Sequence, residues 1–247
     1  MSAPLADLVD EGRRITEAAD EQNVTLRITG GVGIALRCPS AAAPPLARSY
    51  ADIDCVANGR ERPQVTALFE ALGYQPDPAF NAIHGQTRLF FWDPVNNRQL
   101  DVFVDKVQMC HTIDLRDRLG VHPQTLSLAD LLLMKLQIVE TNRKDMIDIL
   151  ALLADHDFSH DESGINIDYI AALAGDDWGL WRTTTMVAER SDKLARELDG
   201  FEGRGVIHER VRAYLHALEE APKSRGWKFR ARIGERKRWS ELPEENE

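Results

Sequence analysis

The stretch SYADIDCVA, residues 49–57, sets the strongest limit on how this chain folds. Ile53, Cys55 and Val56 are good strand residues with Tyr50 just ahead of them, so the segment reads as a strand. Asp52 and Asp54 sit two apart and project from the same face of it. Aspartate is disfavoured in strands, and like charges at that spacing repel. A sheet that contains this strand either leaves the acidic face in water or sets a cation against it.

The surrounding segments supply such a sheet. VTLRIT (24–29) alternates like a strand and runs into GGVG (30–33), after which a helix is expected from Ile34. TRLFFW (87–92), DPVNNRQ (93–99) and LDVFVD (100–105) read as strand, turn and strand, a hairpin. Helical spacing of apolar residues predicts helices over 4–21 and 62–74. CPSAAAPPLA (38–47) reads as a loop. Beyond Pro123 the pattern turns helical, with helices expected at 127–139, 143–154, 178–199 and 205–220. The expected fold class is therefore α/β in the α+β sense: a mixed sheet flanked by helices, then a C-terminal helical domain. Boundaries fall at 1–124 and 125–240, with a frayed tail over 241–247.

In LDVFVD, Asp101, Phe103 and Asp105 share a face opposite Leu100, Val102 and Val104. If this strand neighbours the acidic one, Asp52, Asp54 and Asp101 converge. Three close carboxylates are unfavourable alone and become favourable around a divalent cation. Oxygen donors with no nearby His or Cys suit Mg2+ or Mn2+. The glycine pair Gly30-Gly31 lets backbone N–H groups approach a phosphate where a helix begins. Glycines that cradle phosphates and carboxylates that hold bridging metals form a phosphoryl-transfer set. GVGIAL (31–36) matches only part of a dinucleotide fingerprint, and no Lys-Ser or Lys-Thr makes it a P-loop.

In this order of motifs the chain resembles the polymerase-beta-like nucleotidyltransferase superfamily, and within it the AbiEii-type, toxin-like enzymes of toxin–antitoxin and phage-defence systems. RSYADID carries Arg48 in place and Tyr50 where Thr is usual, and the gap from the glycine pair to Asp52 is longer than usual. LLLMKLQIV supplies Lys135, and NRKDMIDIL supplies Arg143, Lys144, Asp145 and Asp148. The resemblance implies transfer of a nucleoside monophosphate from an NTP to an acceptor hydroxyl, on tRNA or other RNA or on a protein, with an antitoxin as partner. It implies Asp52, Asp54 and Asp101 as metal ligands, with Asp101 also taking the acceptor's proton. Gly30, Gly31, Arg48 and Lys135 would contact phosphates, and Asp145 would join the catalytic set. The rival readings are a small-molecule (antibiotic) nucleotidyltransferase and an inactive nucleotide-binding module.

Composition trims these options. The net charge of −10 argues against bulk nucleic-acid binding, although KSRGWKFRARIGERKRW (223–239) is basic with interleaved aromatics. The favoured reading of that segment is a solvated or docked tail balancing an acidic body. No apolar run is long enough to span a membrane, the N-terminus has no apolar signal core, and three scattered cysteines suit a reducing compartment. A cytoplasmic location is expected. Lys135 also suits a snorkelling position on an apolar helix, Asp145 a helix N-terminus, and His156 and His160 a surface. Trp178, Trp181 and Trp227 suit either base stacking or a core.

Overall fold

A computed structural model describes residues 3–241, so all but the first residue of the expected frayed tail lies outside the described residues. The chain divides into two compact units. The first gathers the residues up to Arg37 with Ser49–Val107 and Thr112–Ser127; the second gathers Cys38–Arg48, Gln108–His111 and the chain from Leu128 onward.

The first unit is built on a mixed sheet. Helix α1 (Leu8–Glu21) starts at Asp7, whose side chain accepts from the Val9 and Asp10 N–H groups. Strand β1 (Leu26–Thr29) passes directly into α2 (Gly30–Arg37). Then come β2 (Ile53–Ala57), α3 (Arg62–Ala71), β3 (Gln75–Pro76), α4 (Pro78–His84), β4 (Arg88–Asp93) and β5 (Arg98–Val104). Short strands β6 (Lys106–Gln108) and β7 (Thr112–Asp114) follow. The sheet order is β1-β2-β5-β4-β3. Only the β2–β5 pair is parallel; the others are antiparallel.

Strand alternation gives this sheet two unlike faces. Leu26, Ile28, Ile53, Cys55, Ala57, Leu89, Phe91, Leu100, Val102 and Val104 form one core with Ile15 and Ala19 of α1 and Val65, Leu68 and Phe69 of α3. Each Leu, Ile, Val or Phe among them, fully buried, contributes roughly 1.5–3 kcal/mol. That burial fixes the register, because a one-residue slip would turn the whole apolar set outward. The opposite face carries Thr29, Asp54, Asp101, Arg88, Phe90 and Trp92.

Three expectations need correcting. The helix expected from Ile34 begins at Gly30, whose φ of +61° lets the chain turn straight out of the strand. Strand β2 begins at Ile53, so Asp52 lies in the extended segment ahead of it. Strand β5 ends at Val104, and Asp105 (φ +63°) turns away to accept from the Gly59 N–H at 2.8 Å.

The second unit holds α5 (Leu128–Leu136), α6 (Arg143–Asp155), strands β8 (Phe158–Ser159) and β9 (Ile165–Asn166), and helices α7 (Ile167–Asp176), α8 (Trp178–Glu197), α9 (Arg204–Glu220) and α10 (Arg225–Ile233). The segment 38–48, expected as a loop of the first half, groups here because α6 holds both its ends. Ser40 N–H donates to Asp155 at 2.9 Å, and Arg48 pairs with Asp148 at 2.6 Å.

Candidate active site

The registers of three strand pairs place one row of residues across the polar face of the first unit's sheet. Thr29 stands opposite Asp54, Asp54 opposite Asp101, and Asp101 opposite Phe90. The Asp77 N–H then donates to the Phe90 carbonyl at 3.0 Å. Neighbouring strands lie about 4.8 Å apart, so Thr29 to Phe90 spans about 14 Å. The fold therefore brings Asp54 and Asp101 side by side, as the sequence reading required. Asp52 is exposed and stands outside the ladder, two residues before Asp54.

Gly30 follows Thr29 at the glycine end of this row. A Cβ on Gly30 would lie 2.2 Å from Asp54 Oδ2, so the Asp54 carboxylate rests directly over the glycine backbone. Two constraints therefore demand glycine here: the positive φ and the absence of room. Gly31 lies in the same first turn of α2, where helical N–H groups have no intrahelical acceptor. Thr29 was not singled out from the sequence. Its hydroxyl is buried and, among the described residues, has no hydrogen-bond partner. The hydroxyl stands beside the glycine turn and opposite Asp54 in the ladder.

The cost of aligned carboxylates is offset in part by Arg88. Its Nε lies 2.6 Å from Asp101 Oδ1, and its guanidinium covers the Phe80 and Phe103 rings at 5.8 and 5.4 Å. Sequence reasoning missed Arg88; the signal was its place two residues before Phe90 in TRLFFW, diagonal to Asp101 across the hairpin. The negative field also reaches the core side: burial first, then Asp54 and Asp101, push the Cys55 thiol well above its usual pKa.

The donors match a hard divalent cation in kind, and Asp54 and Asp101 match it in alignment. Among the described residues, no three His, Cys, Asp or Glu side chains gather closely enough to hold a metal ion. Arg88 holds Asp101, and Asp52 stands apart from the pair.

The remaining expected site residues meet in the second unit. Arg48 forks onto Asp148 (Nε–Oδ1 2.7 Å, Nη2–Oδ2 2.6 Å). Lys135 Nζ donates to Asp145 Oδ1 at 2.6 Å and lies 2.9 Å from Asp148 Oδ2. Burial pulls the Lys135 ammonium down, but Asp148 and then Asp145 outweigh it and leave its pKa above the ordinary lysine value. Two cations and two anions are thus balanced within one buried network. Lys135 does not snorkel, and Asp145, capped by Asn142, serves the network as well as its helix start. Trp178, Trp181, Trp227 and Trp239 pack on one another with centroids 5.4–6.4 Å apart, so the tryptophans read as possible base platforms form a cluster of their own. His160 is a surface residue paired with Asp168.

No protein-family model matches this chain, and no curated relative matches it. Solved structures that align with it include two of ANT(2″)-Ia. One is the crystal structure of ANT(2″)-Ia in complex with adenylyl-2″-tobramycin, at 17% identity and a TM-score of 0.36, covering 58% of this chain and 86% of that one. The other is the solution structure of the antibiotic-resistance factor ANT(2″)-Ia, at 14% identity and a TM-score of 0.39, covering 76% and 95%. Overlap this loose assigns neither fold nor function to the chain.

Proposed function

We propose that the polar sheet face of the first unit is a nucleotidyl-transfer site. The observation that carries this reading is the row in which a glycine helix start, Asp54 and Asp101 lie side by side on the polar face of the sheet. The N–H groups of the first turn at Gly30 and Gly31, with the Thr29 hydroxyl, would bind the β- and γ-phosphates of an NTP. Asp54 and Asp101 would hold Mg2+ or Mn2+, which when bound would neutralise phosphate charge and polarise the reacting oxygens.

In the transfer itself, the acceptor hydroxyl oxygen bonds to the α-phosphorus. The bond from that phosphorus to the bridging oxygen breaks, and pyrophosphate leaves with the electron pair. The hydroxyl proton passes to Asp101. Arg88 would hold Asp101 in place before the substrates arrive. The second unit's Arg48, Asp148, Lys135 and Asp145 would support structure through their closed network.

The test is incubation with each α-labelled NTP and Mg2+ in the presence of total RNA, a protein extract or a panel of cationic amino sugars. Asp54→Asn is the control. Label passing into one pool with the wild type and not with the variant supports the reading and names the acceptor class. Equal labelling by both proteins would overturn it.

A further inference from the structure

A cavity of about 400 Å³ opens at the far end of the same sheet, lined by Gln75, Pro76, Asp77, Pro78, Phe90 and Trp92. Its floor belongs to the acidic face. Phe90 stands opposite Asp101, and Trp92, two residues on, points the same way and stands opposite Gln75. Both rings are only partly buried, whereas Phe91 between them is fully buried in the core. The hairpin thus places two partly buried aromatic rings beside the acids, Phe90 lying against Phe80 with centroids 5.8 Å apart.

The position of this cavity matters for transfer. Across the sheet the order is glycine turn, Asp54, Asp101, Phe90 and Asp77. Attacking and leaving oxygens lie roughly in line on either side of the transferred phosphorus. With the β- and γ-phosphates at the glycine end, the acceptor must approach from the β4–β3 end. From this we infer that the Phe90–Trp92 cavity is the acceptor subsite and that it takes a planar heteroaromatic ring. The inference rests on the transfer reading above and adds the chemistry of the acceptor.

The lining fits that class. Phe90 and Trp92 offer faces for stacking, worth roughly 1–3 kcal/mol per base where such contacts have been truncated. Pro76 and Pro78 wall the space without adding N–H donors. The Gln75 amide supplies a donor and an acceptor for a ring edge. The Asp77 carboxylate caps α4 by accepting from Phe80 N–H at 2.9 Å, which fixes its position at the rim. The volume lies in the lower part of the range for small-molecule pockets and suits one ring system with its sugar.

The experiment uses the full chain saturated with Mg2+ and a non-hydrolysable ATP analogue, with adenosine as the acceptor probe. Methyl β-D-ribofuranoside, the sugar without the base, is the second probe. The Trp92 indole N–H resonance is assigned by its loss in Trp92→Phe, and affinities are measured for wild type and Trp92→Ala. Adenosine should shift the Trp92 resonance and bind at least tenfold more weakly to Trp92→Ala, while the riboside does neither. The ATP analogue should bind both proteins equally.

If adenosine leaves Trp92 unmoved, or binds both proteins alike, the subsite assignment falls while the transfer reading stands. Equal effects from adenosine and the riboside would replace a ring subsite with a sugar subsite and overturn the stated chemistry. If the analogue alone shifts Trp92 and weakens in Trp92→Ala, the cavity holds the donor's base, which also overturns the assignment. Binding of the analogue to neither protein removes the transfer reading and the subsite with it.

Discussion

The two faces of the first unit's sheet are made by the same strands and do opposite work. On β4, Leu89 and Phe91 join a closed apolar core, while Arg88, Phe90 and Trp92 stand one residue away on the acid-bearing side. On β2, Cys55 is fully buried and Asp54 is not. The core face is self-sufficient: every side chain on it finds apolar neighbours. The other face is not. It aligns two carboxylates, offsets them with one arginine, leaves the Thr29 hydroxyl without a partner among the described residues, and ends in an aromatic-lined cavity. The difference teaches where to look for function. Folding physics accounts for the first face and leaves the second with costs that a ligand would offset.

Substitution on each face should separate these roles. Phe91→Ala should cost about 3–5 kcal/mol of stability, the transfer loss plus a cavity in a packed core. Trp92→Ala, adjacent and facing the other way, should cost about 1 kcal/mol or less in the same urea titration. Equal losses would mean that the polar face is as structural as the core.

The ion network of the second unit offers the contrast for charge. Asp148 is buried between Arg48 and Lys135, so Asp148→Ala should destabilise by about 3–5 kcal/mol, the usual cost of stranding buried charge. Asp54→Asn should instead leave denaturant stability unchanged or slightly raised, because it relieves like-charge alignment with Asp101. In transfer assays the same variant should lose on the order of a hundredfold to a thousandfold, about 2.7–4 kcal/mol of barrier. A stable Asp148→Ala, or an Asp54→Asn that unfolds, would erase the distinction between balanced and poised charge.

The smallest effect is expected at the β1 edge of the sheet. His122 Nδ1 accepts from the Gln124 and Thr125 N–H groups, and residues 124–126 pair with Ile28 of β1. Burial, then Arg37 and Arg27, hold the His122 pKa down at about 4. An unfolded histidine titrates near ~6.5, so the unfolded chain binds more protons in this window. The stability His122 contributes is complete above about pH 6.5 and is lost as pH falls towards about 4. Urea titrations at neutral and acid pH should show this slope in wild type and a shallower one in His122→Asn. Equal slopes would remove His122 from the account of the edge.

What could be read from the sequence follows from how local each signal is. The β4–β5 hairpin was legible because TRLFFW and LDVFVD alternate on both sides of a DPVNN turn. Asp54 and Asp101 were legible as a pair because two acids in strand patterns are costly and conspicuous. Arg88 was not, since its role appears only when the diagonal neighbour across the hairpin is known. The start of α2 was misplaced because a double glycine reads as a loop, whereas one left-handed glycine suffices to turn strand into helix. Helix α10 was read as a basic tail: it is short, none of its residues is buried, and Phe229 is 67% exposed, so its apolar signal is weak. Lys135 stood out as a lysine in an apolar run, but the sequence alone did not show that it is held by Asp145 and Asp148.

The most direct test of the polar face is an electron paramagnetic resonance titration of Mn2+ against wild type and Asp54→Asn, with and without the non-hydrolysable ATP analogue. The account predicts that the analogue brings bound Mn2+ onto the wild-type protein beyond what the analogue holds alone, and that Asp54→Asn abolishes the gain. No protein-dependent uptake, or the same uptake by the variant, would contradict the assignment of the Asp54–Asp101 row as a nucleotide and metal site.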